Sequence, residues 1–159
     1  MTFTYTRWPI VLGGLGAACA LVVATQILPW WSFSEAVVYL TRAERCFGGE
    51  CQATGMRWLG ASAWWHRLAA AAFGAGLFTA LLALFVAGAR AAGRIPRLAA
   101  ASLLVGVLTS LACGVGAWVS FPRLGPSQFA AGPLVFVLGL GACAAIAIAV
   151  RRLDVPARS

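Results

Sequence analysis

Apolar residues fall into four long runs, at about 8–28, 66–89, 98–119 and 132–150, separated by short polar stretches. Each run is long enough to cross ~30 Å of hydrocarbon as an α-helix. Pro29 follows the first run and Pro122 the third, where a proline ends a helix. The first run is longer than the apolar core of a signal peptide. Its small residues Ala17, Ala18 and Ala20 lie inside it, with apolar sequence continuing after them, so it is read as a retained span. The pattern predicts an all-α membrane protein: one domain over 1–159, four antiparallel helices, and a large loop at 29–65.

Period changes inside that loop. Residues 32–41, "SFSEAVVYLT", are rich in β-branched and aromatic side chains and predict a strand. "CFGGEC", 46–51, then carries Gly48-Gly49, a two-residue hairpin signal, because a primed turn needs positive φ. A turn there sets Phe47 opposite Glu50 and Cys46 opposite Cys51 as a non-hydrogen-bonded pair. Such pairs have Cα atoms ~4.5 Å apart, within disulfide range. A structural Cys46–Cys51 staple is expected. Two other chemistries are weighed for the pair. Redox exchange favours Cys-x-x-Cys, and this is Cys-x4-Cys with no second loop cysteine to relay electrons. Zinc needs further ligands, and the chain holds one histidine.

Composition sharpens the membrane reading. Hydrophobic residues make up 62% of the 159 and charged residues 10%, with a mean hydropathy of +0.89. A soluble domain carries about 25% charged residues to cover its surface. The formal charge is +8, from twelve arginines and no lysine against four acids. The arginines lie between apolar runs and form no single patch, which argues against nucleic acid as a partner.

Their distribution sets an expected orientation. "ARAAGRIPR" carries Arg90, Arg94 and Arg97, the tail carries Arg151, Arg152 and Arg158, and the N-terminus carries Arg7. By the positive-inside rule these lie on the cytoplasmic side. Both termini are then cytoplasmic and the loop 29–65 is extracytoplasmic, where disulfides persist. The expected location is a bacterial cytoplasmic membrane.

Small residues recur at four-residue spacing within the runs: Ser102, Gly106, Ser110 and Gly114; Gly16, Ala20 and Ala24; Gly139, Cys143 and Ala147. Such stripes let backbones approach closely in lipid. They predict packing within the bundle, with a partner-docking or oligomer face as the sharper alternative. No span interior carries Asp, Glu, Lys or Arg, against a pump or a carrier of charged substrates. Trp8, Trp30, Trp31, Trp64, Trp65 and Trp118 fall near span ends, as an aromatic belt would. The lone His66 sits beside Trp64 and Trp65. Headgroup contact or helix capping is the plainer reading, and ligation of haem or a chlorophyll magnesium the sharper one.

Four spans, a large strand-bearing first loop and a short second one resemble the claudin and peripheral-myelin-protein superfamily of tetraspan proteins. "ILPWWSFS" (27–34) is similar to the claudin Leu-Pro-x-Trp entry to the first loop. The resemblance sets Trp31 at the family tryptophan and Cys46 and Cys51 at the paired loop cysteines, with Trp30 and Trp31 anchoring the loop. In place of the family's Gly-Leu-Trp the first cysteine follows Ala43-Glu44-Arg45, so paracellular pore function is not carried over. The resemblance implies a non-catalytic role in lateral assembly, adhesion or chaperoning.

No nucleophile–base set, carboxylate pair, metal cluster or phosphate loop stands out, so no catalysis and no cofactor is expected. Three functions are weighed. The first is a structural or accessory subunit docking on other membrane subunits, such as an energy-transducing complex, or on copies of itself. The second is binding of a small lipophilic ligand, pigment or haem at Trp64, Trp65 and His66. The third is thiol–disulfide exchange through Cys46 and Cys51.

Overall fold

The computed structural model describes residues 7–33, 35–56, 63–122 and 130–152. In chain order the elements are α1 (Arg7–Gln26), β1 (Trp31–Phe33), β2 (Ala36–Val38), β3 (Ala43–Phe47), β4 (Glu50–Thr54), α2 (Ala63–Ala91), α3 (Arg97–Ser120) and α4 (Ala131–Arg152). All four helices are long and apolar enough to cross a membrane. They form an antiparallel ring in which α1 packs on α2 and α4, and α3 packs on the same two helices. The four strands form an antiparallel meander, in the order β1-β2-β3-β4, at the end of the bundle where α1 stops and α2 starts.

The helices touch through small side chains. Ala17, Ala24, Ala69, Ala72, Ala83, Ala100, Ala117 and Ala147 are buried, and little bulk separates the backbones. Gly14 of α1 is pressed against α2: a Cβ there would lie 2.9 Å from Cβ of Ala87 and 3.2 Å from the carbonyl of Ala83. Large apolar side chains, among them Leu12, Phe78, Phe85, Leu108 and Leu138, point outward. A water-soluble monomer rarely exposes so broad an apolar surface.

Among the described residues the buried hydroxyl side chains, Thr25, Thr79 and Ser110, are satisfied within the bundle. Thr25 Oγ1 donates to the carbonyl of Leu21 at 2.8 Å. Thr79 and Ser110 share a hydroxyl–hydroxyl bond of 2.9 Å between α2 and α3, and Thr79 lies 2.8 Å from the carbonyl of Ala75. An unpaired hydroxyl in an apolar interior costs roughly 1–3 kcal/mol, so this pairing fixes one rotational setting of α2 against α3.

Two expectations about the first loop change. The single strand expected over 32–41 is two strands, because the chain reverses between Phe33 and Ala36, which pair with each other. A second turn follows, closed by the N–H of Tyr39 donating to the carbonyl of Arg42 at 2.8 Å. The expected hairpin is therefore the last pair of a four-stranded sheet. Its turn is as the sequence predicts: Gly48 and Gly49 have φ of 59° and 91°, the left-handed values a type I′ turn requires. Ala36, Val38 and Ala43 are buried against the bundle, whereas β4 is exposed over nearly its whole length. The β3–β4 hairpin projects beyond the packed part of the sheet.

The start of α4 closes the fold. The N–H of Gly132 donates to the carbonyl of Pro29 at 3.0 Å. A Cβ on Gly132 would lie 2.5 Å from that oxygen and 2.7 Å from Cδ1 of Trp30. Only glycine fits there without moving backbone. Gly132→Ala is expected to destabilise the protein by about 1–3 kcal/mol. Gly141→Ala, on an open face of the same helix, is expected to be neutral or to stabilise by up to ~1 kcal/mol. Thermal unfolding of the two variants in one detergent checks the contrast.

Candidate functional site

The densest arrangement of side chains lies where the sheet meets the bundle. α1 ends by tightening: the N–H groups of Ile27 and Leu28 both donate to the carbonyl of Val23. Pro29 then forces an extended path. That path carries Trp30 under the sheet, where it is buried. Its indole N–H reaches back to the carbonyl of Ala24 at 2.9 Å, satisfying one of the acceptors that a helix C-terminus leaves open. Its backbone N–H donates to Val38 of β2 at 2.8 Å. Its ring meets Phe136 of α4 edge-on at 5.1 Å and approaches Gly114 of α3. One residue thus ties α1, α3, α4 and the sheet together.

Trp31 opens β1 and turns the other way. It stacks on Phe121 at 4.2 Å and 10°, lies nearly parallel to Trp118 at 5.8 Å, and meets Trp65 edge-on at 5.5 Å. Trp65 is also edge-on to Phe121 at 5.1 Å and to His66 at 4.6 Å. Ring pairs at these separations contribute ~0.5–1.5 kcal/mol each beyond the area they bury. The aromatic belt expected from sequence therefore divides. Trp8, Trp64 and Trp118 are exposed, whereas Trp30, Trp31 and Trp65 are buried and hold the sheet on the bundle.

That division separates the expected Trp64–Trp65–His66 cluster. Trp64 points outward, Trp65 points inward, and His66 lies half-buried against Trp65. Among the described residues, no group accepts a hydrogen bond from the buried Trp65 indole N–H. Nor does any set of three or more His, Cys, Asp or Glu among them converge on a metal position. A separate cleft of about 240 Å³ opens between α3 and α4, lined by Trp30, Gly114, Trp118, Pro133 and Phe136 with aliphatic neighbours. Sequence reading missed it, because its walls come from three distant segments.

Cys46 and Cys51 are directly opposed across the hairpin and joined as a disulfide, with Cα atoms 4.0 Å apart. The remaining cysteines, Cys19, Cys113 and Cys143, are free thiols on the helices.

The small-residue stripes face in different directions. On α3, Gly106, Ser110 and Gly114 turn inward and only Ser102 is exposed. A Cβ on Gly106 would lie 2.8 Å from Thr79 Oγ1, and one on Gly114 would lie 3.0 Å from the Phe136 ring. Gly139 of α4 meets Leu21 and Ala20 of α1. Gly16 faces open space.

Comparison with protein-family models, with curated proteins and with solved structures finds no match to this chain.

Two outcomes follow from this geometry. Trp30→Phe removes the bond to Ala24 and opens a void at the helix junction, so a loss of about 2 kcal/mol or more is expected. Trp65→Phe removes an indole N–H that has no acceptor among the described residues, which offsets part of its lost volume. It is expected to cost less than Trp30→Phe in the same denaturation assay. The Cys46–Cys51 bond closes only a short loop, so its reduction, or Cys46→Ser, is expected to cost about 2 kcal/mol. Hydrogen exchange should then rise in β3 and β4 while the helices keep their protection.

Proposed function

We propose that this chain is a non-catalytic integral membrane protein that works through its surfaces, as an accessory subunit of a larger membrane complex or as a self-assembling tetraspan resembling the claudins. In this reading the disulfide-bearing sheet is extracytoplasmic, and the opposite end, with Arg90, Arg94, Arg97, Arg151 and Arg152, is cytoplasmic. The membrane is the cytoplasmic membrane of a bacterium. The partner is another membrane subunit or a second copy of the chain.

One observation carries this reading: the bundle interior is occupied. Its hydroxyls bond to one another or to backbone, its alanines and glycines bring the helices together, and its buried tryptophans hold the sheet. Such an interior supports a scaffold more than a pathway. The exposed apolar faces and the projecting hairpin are then the parts left to meet something else. The cleft beside Trp30 supports a second reading, in which a small lipophilic molecule sits between α3 and α4.

Purification in mild detergent tests the first reading against the second. Gly106→Leu strikes the side chain of Thr79 and is expected to unfold the bundle. Gly16→Leu, which meets open space, is expected to leave the fold intact and to weaken co-purification of partner chains or self-association. A stoichiometric chromophore in the absorption spectrum, without partner chains, would favour the ligand reading. A solitary, colourless protein whose assembly state ignores Gly16→Leu would sink the assembly reading.

A further inference from the structure

Besides the cleft at Trp30, an open-sided groove of about 670 Å³ lies between α2 and α3. Its α3 wall is formed by Leu98, Ser102, Val105 and Thr109, which recur at four, three and four residues and so share one helical face. Phe78 forms the facing α2 wall, and Gly74, with nothing within 4 Å of a would-be Cβ, leaves the far end open. From Leu98 to Thr109 the helix rises about 16 Å. That is close to half of a hydrocarbon core about 30 Å thick. The groove is therefore about one leaflet long, and it starts at the sheet-distal end of the bundle.

Among the described residues the charge at that end is of one sign. Arg90 closes α2, Arg94 lies in the connection, Arg97 opens α3, and Arg151 and Arg152 close α4. Among the described residues all three acids, Glu35, Glu44 and Glu50, lie on the sheet side. Arg94 and Arg97 are exposed and alternate with the exposed apolar side chains of Ile95 and Leu98. Arg97 immediately precedes Leu98, the first residue of the groove wall. An apolar trough one leaflet long, with cationic groups at its mouth, matches a molecule with an anionic head and an aliphatic tail.

We infer that the α2–α3 groove is a binding site for an anionic phospholipid, with an acyl chain along Leu98, Ser102, Val105 and Thr109 and the headgroup phosphate at Arg94 and Arg97. The inference rests on the membrane reading above. Guanidinium suits this role because it stays charged and presents a planar fork of donors to phosphate oxygens. Ser102 and Gly74 keep the trough wide, and a larger side chain at either position would fill it.

The test uses the full-length protein, released from membranes and incubated with equal amounts of dioleoyl phosphatidylglycerol and dioleoyl phosphatidylcholine. Native mass spectrometry then counts the bound lipids. The wild type is expected to enrich phosphatidylglycerol about 25-fold, and each arginine removed at the mouth to lower the preference by roughly fivefold. Arg94→Gln with Arg97→Gln should therefore approach parity. Arg151→Gln with Arg152→Gln, the same charge loss on α4, should keep the preference. Gly74→Leu and Ser102→Leu, at open positions, should lower the number of lipids of either kind while tryptophan fluorescence stays native. Equal binding of the two lipids by the wild type would overturn the site. So would an equal loss in the two arginine pairs, which would mean diffuse surface charge. Groove-filling variants that change the oligomeric mass and leave the lipid count alone would make the groove a protein contact and overturn it as well. A chain that fails to fractionate with membranes would sink the membrane reading and this inference together, a result distinct from unselective binding by a membrane-borne protein.

Discussion

Trp30 is where the fold is joined. A helix that ends just before Pro29 leaves carbonyls without partners, and an indole four residues past its last residue is long enough to return to one of them. In doing so it presents its ring to α4 and the notch at Gly114, and its backbone to β2. The sheet is too small to be stable alone, with strands of three to five residues. It exists because Trp30 and Trp31 give it something to lie on. Gly132 completes the joint from the other side, since its lack of a side chain lets the first turn of α4 reach Pro29.

Away from that joint, closeness does the work that the hydrophobic effect does in water. Lipid offers no hydrophobic gain from pairing helices, so contact area and shared polar groups decide which faces meet. Alanine and glycine supply the first, and the Thr79–Ser110 pair supplies the second where α2 meets α3. A stripe of small residues is accordingly a poor indicator of an external partner. On α3 three of the four stripe residues are consumed inside the ring, and the fourth, Ser102, borders the groove.

The coarse architecture was legible because length and apolarity suffice for it. Four runs gave four helices, and Gly48-Gly49 located its own turn and the facing cysteines. The break between Phe33 and Ala36 was not legible, because the residues on either side favour strand equally and only the register with β3 separates them. The tryptophans resemble a belt in sequence because span ends are where such residues gather. Nothing in "PWW" or "AWWH" says which ring turns inward, since that depends on the helix phase and on Phe121 and Phe136, far away in sequence. The cleft and the groove were invisible for the same reason: each is a gap between elements, and a gap has no residue of its own.

The contact between Gly132 and Pro29 has a consequence for biosynthesis. About a hundred residues separate Trp30 from the helix that covers it. At ~5–20 residues per second of translation, that delay is about 5–20 s. During that interval the first loop has been made, and its cysteines can pair, while the indole has no lid. A bundle built in this order cannot be sealed stepwise from its first helix onward; the last helix to be made is also the one that locks the first. Truncation within α4 would therefore leave a chain with three helices and an uncovered aromatic floor, the kind of intermediate that quality-control proteases and chaperones recognise by its exposed apolar surface.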